Sequence, residues 1–267
     1  MQADTGSVPV FILCGGLGTR LADGSDLRPK PMVPIGNRPI LWHVMRSYAQ
    51  FGFRRFVLCT GFQSDSIKSY FLNYHWMNSD FSIDLKRNTT TVHGSHDEDW
   101  EVTLAYTGEV TMTGARVARA AARYLGDAEH FAVTYGDGLT DANLLDEYRF
   151  HLGHQKVGTV LGVHPPSRFG EFKLEGDQVS EFEEKPEFED RWINGGYFFF
   201  RRDFKAYLSE DDDCILERAP LGRLARDGEL RTFRHDGFWA CMDTPRDRDE
   251  LNKRWATGDT PWLGCEP

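Results

Sequence analysis

VPVFILCGGLGTRL, residues 8–21, is the stretch whose reading decides the fold. Its first six residues are apolar and rich in β-branched side chains, without the polar alternation of a half-exposed strand, so they read as a parallel strand buried on both faces. The strand breaks into Gly15, Gly16 and Gly18 and closes on Thr19 and Arg20. Glycines let a backbone approach an anion closely enough for its N–H groups to donate, and a guanidinium adds paired charged hydrogen bonds. The stretch is a phosphate cradle in outline; the competing reading is a plain tight turn. It is not a P-loop, because G-x-x-x-x-G-K-[ST] is absent. Nor is it a dinucleotide fingerprint, since Leu21 stands where a glycine is required, and this argues against a nicotinamide dehydrogenase.

Outward from this stretch the pattern switches between strand and helix periods. Pro39 can open a helix running to residue 51, with Ile40, Leu41, Val44, Met45, Tyr48 and Phe51 repeating near 3.6 and Gly52 placed to end it. A strand at 56–59 and a helix at 64–74 follow, then alternating strands over 81–106 around a polar turn at 93–99. An alanine-rich helix at 115–125, stopped by Gly126, leads to a strand at 130–135 that runs into Gly136-Asp137-Gly138. Beyond lie a helix at 142–152, a strand at 157–163, strands at 170–174 and 179–182 joined through Glu175-Gly176-Asp177, a strand at 192–200, and helices at 215–227 and 245–257. Such alternation implies an α/β fold with a mixed, mostly parallel sheet, helices on both faces and added antiparallel hairpins. No linker, low-complexity stretch or repeat divides the chain, so a single domain over 1–267 with a hairpin insertion about 78–106 is expected.

The 267 residues, 40% hydrophobic and 27% charged, suffice for one large core. No apolar run is long enough for a membrane span and the start lacks a secretion signal, which points to a cytoplasmic protein with no membrane partner. Five cysteines, odd in number and without a C-x-x-C pair, suit reduced thiols. A net charge of -10 opposes nucleic acid as a partner. It also repels small polyanions, so a phosphate site here needs a local cluster of cations, a metal ion, or both. Lys30, held between Pro29 and Pro31 in an expected extended segment beside the glycine loop, is one such cation, although a lone lysine is more often solvated.

Glycine loop and proline-flanked lysine together resemble the entrance loop of the sugar-1-phosphate nucleotidyltransferases. The resemblance runs from about Val10 to Trp262. Segments 39–46, 67–74, 100–104, 107–108, 112–116 and 135–138 are similar to the glucose-1-phosphate cytidylyltransferase branch. That likeness implies a Rossmann-like fold of the nucleotide-diphospho-sugar transferase type, CTP and a sugar 1-phosphate as partners, Mg²⁺ as cofactor, and a homo-oligomer. It implies nucleotide contacts at Leu13, Gly15, Gly16, Gly18, Thr19, Arg20, Lys30, Thr107, Gly114, Arg116 and Gly136. It assigns Lys185 to the sugar phosphate, Glu184 and Asn194 to sugar hydroxyls, and Gly170 and Gly195 to close backbone approach, within a sugar-binding part about 157–243. Asp137 and Asp243 become metal ligands by the same likeness; read alone, one is an Asp-Gly turn and the other a helix-cap neighbour. The chain departs from that branch at Pro34, Asn37, Arg38 and Ala115 and through residues 22–27.

The implied reaction is in-line attack of a sugar-phosphate oxygen on the α-phosphorus of CTP, with pyrophosphate leaving. A phosphate oxygen is already anionic, so catalysis is expected from positioning and charge neutralisation by Arg20, Lys30, Lys185 and the Mg²⁺ that Asp137 would hold, with Arg116 as a further cation. Another nucleotide or sugar phosphate is the alternative substrate, and a non-catalytic binding protein the alternative class. His93 and His96 read as parts of a polar turn, and His151 and His154 lack the companions of a zinc site.

Overall fold

The computed structural model describes residues 4–16, 28–94, 98–165, 171–183 and 191–264, with backbone alone at 171–175 and 181–183. β1 (Pro9–Leu13) is buried throughout. Two short strands, β2 (Pro34–Ile35) and β3 (Arg38–Pro39), lead into α1 (Ile40–Ala49), whose apolar face is buried as the periodicity requires. Gly52, at φ +89°, takes the left-handed conformation that turns the chain after that helix. β4 (Arg55–Thr60) and α2 (Ser64–Leu72) follow. Asn73, outside helical geometry, separates α2 from α3 (Tyr74–Met77), so the helix expected over 64–74 is two.

The 81–106 region differs more from expectation. β5 (Asp80–Asp84) and β6 (Thr89–His93) form an isolated antiparallel hairpin that turns at 85–88, where Asn88 adopts φ +50°. The polar segment from 94 is therefore not the tip: it leads to β7 (Glu101–Tyr106), which pairs parallel with β4. Alternation in EVTLAY fits either partner, and only the long-range pairing selects one.

α4 (Thr113–Tyr124), β8 (His130–Tyr135), β9 (Gly138–Thr140), α5 (Leu144–His154) and β10 (Gly158–Val163) come next. β11 (Glu171–Glu175) and β12 (Gln178–Glu183) make the expected hairpin about Gly176, which sits at φ +68°. β13 (Ile193–Arg201), α6 (Ala219–Arg226), β14 (Leu230–His235), β15 (Trp239–Cys241) and α7 (Pro245–Thr257) complete the chain. The helix expected at 215–227 starts at Ala219, because Pro220 suits only a first turn. α7 begins on a capping box between Thr244 and Asp247 and ends at Gly258, φ +76°.

Seven strands form the main sheet in the order β14-β10-β13-β8-β1-β4-β7. Only β13 runs against its neighbours, so the sheet is mixed and mostly parallel. Alternate residues of β1 feed two cores: Val10 and Ile12 pack with α1, α5 and Trp262, while Phe11 and Leu13 pack with α4 and α6. Each fully buried large side chain contributes about 1.5–3 kcal/mol, which explains an uninterrupted apolar run in the central strand. Among the described residues no helix is long and apolar enough to cross a membrane.

The chain leaves β1 for β4 on one side and returns through α4 to β8 on the other. The carboxyl ends of β1 and β8 thus meet at a switch in strand order, the place where open α/β sheets form ligand crevices.

Candidate active site

A cleft of about 500 Å³ opens at that switch, within the size range of small-molecule sites. Leu13 to Gly16 after β1 and Gly136 with Asp137 after β8 form its floor. The Gly136 N–H donates to the Leu13 carbonyl at 3.2 Å, and a Cβ on Gly136 would stand 3.0 Å from that oxygen, so glycine is what lets the two loops touch.

Lys30 enters from a single 3-10 turn, Lys30–Met32, rather than the extended segment expected from its prolines. Pro29 remains extended, but Pro31 tolerates the second position of a helical turn, where its missing N–H has no partner to lose. The Lys30 ammonium bridges Asp137 and Asp243, lying 2.7 Å from the Asp243 Oδ1. Burial pulls the lysine pKa down, yet the carboxylates of Asp137 and Asp243 outweigh it and the net shift is upward. The two aspartates come from distant elements. β15 pairs antiparallel with β9, setting Cys241 opposite Gly138, and the Met242 N–H donates to the Asp137 carbonyl at 2.9 Å. Ligand atoms of Asp137, Cys241 and Asp243 all lie within 4.8 Å of one another.

Arg116, in the first turns of α4, is 3% exposed. Its Nη1 donates to the Thr60 carbonyl at 3.1 Å, the Thr107 hydroxyl at 2.9 Å and the Gly108 carbonyl at 2.7 Å. Its Nη2 donates to the carbonyls of Gly15 at 2.8 Å and Glu109 at 3.2 Å. Burial lowers its pKa, but a guanidinium keeps its charge. The side chain ties the glycine loop to the ends of β4 and β7, and a Cβ on Gly15 would lie 2.2 Å from Nη1. Thr107 sits behind the cleft, buried and donating to the Thr60 carbonyl at 2.8 Å. Gly114 packs on the Cys214 segment, whose sulfur would stand 2.7 Å from an added Cβ.

On the cleft's other flank the Asn194 Oδ1 accepts from the Gly196 N–H at 2.8 Å, and its Nδ2 reaches the Tyr135 hydroxyl at 3.4 Å. Tyr135 donates to the Glu217 carboxylate, which also accepts from the Thr113 hydroxyl at 2.8 Å. Burial, and then Glu217, raise the Tyr135 pKa. The Gly195 carbonyl accepts from the Trp239 indole at 2.7 Å. Gly18, Thr19, Arg20, Gly170, Glu184 and Lys185 lie outside the described residues. Sequence reasoning assigned no role to Tyr135, Glu217, Thr113 or Cys241. Only Cys241 carries a local signal, standing two residues before Asp243 at the end of a short strand.

A second cleft of about 500 Å³ lies against β7, walled by Phe71, Tyr74, Trp100 and Leu104. Its charged lining is Lys68 and Glu98, apart from the Lys30, Asp137 and Asp243 cluster of the first cleft.

The sheet order, the crevice at its switch and the entrance loop agree with one comparison. The chain belongs to the nucleotidyl transferase family, whose pattern matches residues 10–220. It is 43% identical over 255 residues to the glucose-1-phosphate cytidylyltransferase of Salmonella typhi, covering 96% of this chain and 98% of that one. A Bacillus subtilis protein named "Probable glucose-1-phosphate cytidylyltransferase" is 39% identical over 251 residues, 94% and 97% of the two chains. Among solved structures, HddC from Yersinia pseudotuberculosis has a TM-score of 0.65 at 22% identity over 93% of this chain and 99% of that one, a likeness of fold.

Proposed function

We propose that this chain is a glucose-1-phosphate cytidylyltransferase, joining CTP and α-D-glucose 1-phosphate to give CDP-glucose and pyrophosphate. The observation that carries the reading is Lys30 held between Asp137 and Asp243 at the switch crevice, in a chain 43% identical to an enzyme of that name. A sugar-phosphate oxygen attacks the α-phosphorus and pyrophosphate departs along the opposite direction. The nucleophile is ionised before it binds, so the protein's task is alignment and charge neutralisation. Leu13, Gly15, Gly16, Gly18, Thr19, Arg20, Lys30, Thr107, Gly114 and Gly136 serve the nucleotide, with Arg116 holding the loop beneath it. Gly170, Glu184, Lys185, Asn194 and Gly195 serve the sugar phosphate.

The donors at Asp137 and Asp243 suit Mg²⁺: both are hard oxygen ligands, and a cationic ammonium already rests between them. When bound, the ion supplies positive charge facing the phosphates. Lys30, in the same corner of the cleft, would lie beside that charge and add its ammonium to the neutralisation of the triphosphate. We further read the protein as a cytoplasmic single-domain homo-oligomer, a state that light scattering of the purified chain measures.

Pyrophosphate release from CTP, UTP, dTTP, ATP and GTP, each against several sugar 1-phosphates, tests the substrates. CTP with glucose 1-phosphate is expected to have the highest kcat/KM. Faster turnover of another pair would reassign the substrate, and no release from any pair would remove the transferase reading.

A further inference from the structure

Glu217 sets a negative charge in a cleft that, on the transferase reading, receives phosphates. It is exposed and lines that cleft, on the stretch before α6 whose Cys214 carbonyl accepts from the Gly114 and Ala115 N–H groups in the first turn of α4. Its oxygens are held by hydroxyls: one accepts from Tyr135 and the other from Thr113 at 2.8 Å. Both holders are themselves fixed. The Thr113 hydroxyl accepts from the Leu216 N–H at 2.9 Å, and the Tyr135 ring lies so close to Gly196 that a Cβ there would stand 2.4 Å from it. Among the described residues no cation pairs with Glu217, so its charge has no structural partner.

A carboxylate accepts about four hydrogen bonds, and with two taken Glu217 keeps capacity for two more donors from the cleft. A phosphate cannot supply them, because like charges this close repel. Neutral hydroxyls can, and neighbouring hydroxyls on a sugar ring match the two oxygens of one carboxylate. Tyr135 shows which sugar. The Asn194 Nδ2 reaches the same tyrosine hydroxyl at 3.4 Å, which groups Glu217 with the residues given to the sugar 1-phosphate and not with the Arg116 brace beneath the nucleotide loop. On the transferase reading, we propose that Glu217, set in place by Tyr135 and Thr113, accepts hydrogen bonds from two adjacent ring hydroxyls of the sugar 1-phosphate and is a specificity residue for that substrate. A site built this way rejects a sugar lacking either hydroxyl, because the carboxylate then loses a partner it has been desolvated to meet.

Steady-state pyrophosphate release by the full chain tests this, with CTP and whichever sugar 1-phosphate turns over fastest, then with the deoxy analogues of that sugar. Wild type is expected to lose kcat/KM about 10-fold to 100-fold on two analogues that lack adjacent hydroxyls, the scale of a hydrogen bond to a charged group. Glu217→Gln is expected to raise the KM for the sugar 1-phosphate by a similar factor, to keep the KM for CTP within about twofold, and to treat those two analogues nearly like the parent sugar. A purely structural carboxylate would instead lower the melting temperature and move both KM values together. If Glu217→Gln melts far below wild type, Tyr135→Phe, which frees one carboxylate oxygen, is measured in its place with the same expected split. An unchanged sugar KM in a folded variant, equal shifts in both KM values, or a deoxy preference that is absent from wild type or fully kept in the variant overturns the role of Glu217 while leaving the transferase intact. Absence of release from every wild-type pair removes the transferase reading and the role of Glu217 together.

Discussion

Two cations face the same cleft and are held in opposite ways. Lys30 is bound by ionic partners alone, the carboxylates of Asp137 and Asp243, both of which have other chemistry open to them. Arg116 is bound by neutral acceptors, four carbonyls and a hydroxyl, the carbonyls being fixed in the main chain. The contrast separates an exchangeable charge from a locked one. A charge between carboxylates can trade places with a metal ion or swing to a phosphate; a guanidinium threaded through backbone oxygens can only hold loops in place. Disturbing the Lys30 corner should therefore cost turnover, and disturbing the Arg116 corner should cost stability.

The largest expected effect breaks or keeps this distinction directly. Asp137→Ala should lower pyrophosphate release about 100-fold to 1,000-fold, the scale of one lost transition-state contact, while thermal melting stays close to wild type. Lys30 retains Asp243 in that variant, so no charge is stranded. Matching losses of activity and melting temperature would erase the contrast.

Gly15→Ala probes the other corner. Its Cβ would fall 2.2 Å from the Arg116 Nη1, forcing the guanidinium out and leaving several acceptors unpaired. Urea unfolding should show a loss of about 2–4 kcal/mol, the cost of breaking a buried hydrogen-bond network. A change within about 0.5 kcal/mol would mean that the loop and Arg116 are not coupled. Thr244→Ala sharpens the comparison at the smallest scale. It removes the side-chain half of the α7 capping box beside Asp243, and about 1 kcal/mol of stability should go with it. If this cap also supports the Lys30 corner, the KM for nucleotide will rise alongside; if KM is unchanged, the main-chain pairing of β15 holds Asp243 by itself.

Local signals carried far into this fold. The uninterrupted apolar run of β1 announced a strand covered on both sides, and the helix expected at 245–257 forms with those bounds as α7, closed in the structure by Thr244 and Gly258, because capping needs only neighbours a few residues away. Reading failed where the deciding partner was distant. β7 looked like one arm of a hairpin until its pairing with β4 made it the edge of the main sheet, and the true hairpin turned earlier, at Asn88. At the cleft, family likeness named Lys30, Asp137, Arg116 and Asp243, but not what each one touches. No local pattern distinguishes a guanidinium aimed at a ligand from one aimed at carbonyls. Glu217 had no signal at all, since its link to Tyr135 spans 82 residues.

By itself, then, the amino-acid order determined the longer helices and most strands of the main sheet, though not its edge strand β14 or the short β9 and β15, together with a sheet covered on both faces and the phosphate-handling side chains the chain possesses. Tertiary structure alone decided that Lys30 lies between two carboxylates, that Arg116 braces the glycine loop, and that Cys241 lies beside Asp137 and Asp243. The physical reason is range: hydrophobic period and capping act over a few residues, whereas the charge and donor set of a site are made by segments that meet only after the chain has folded.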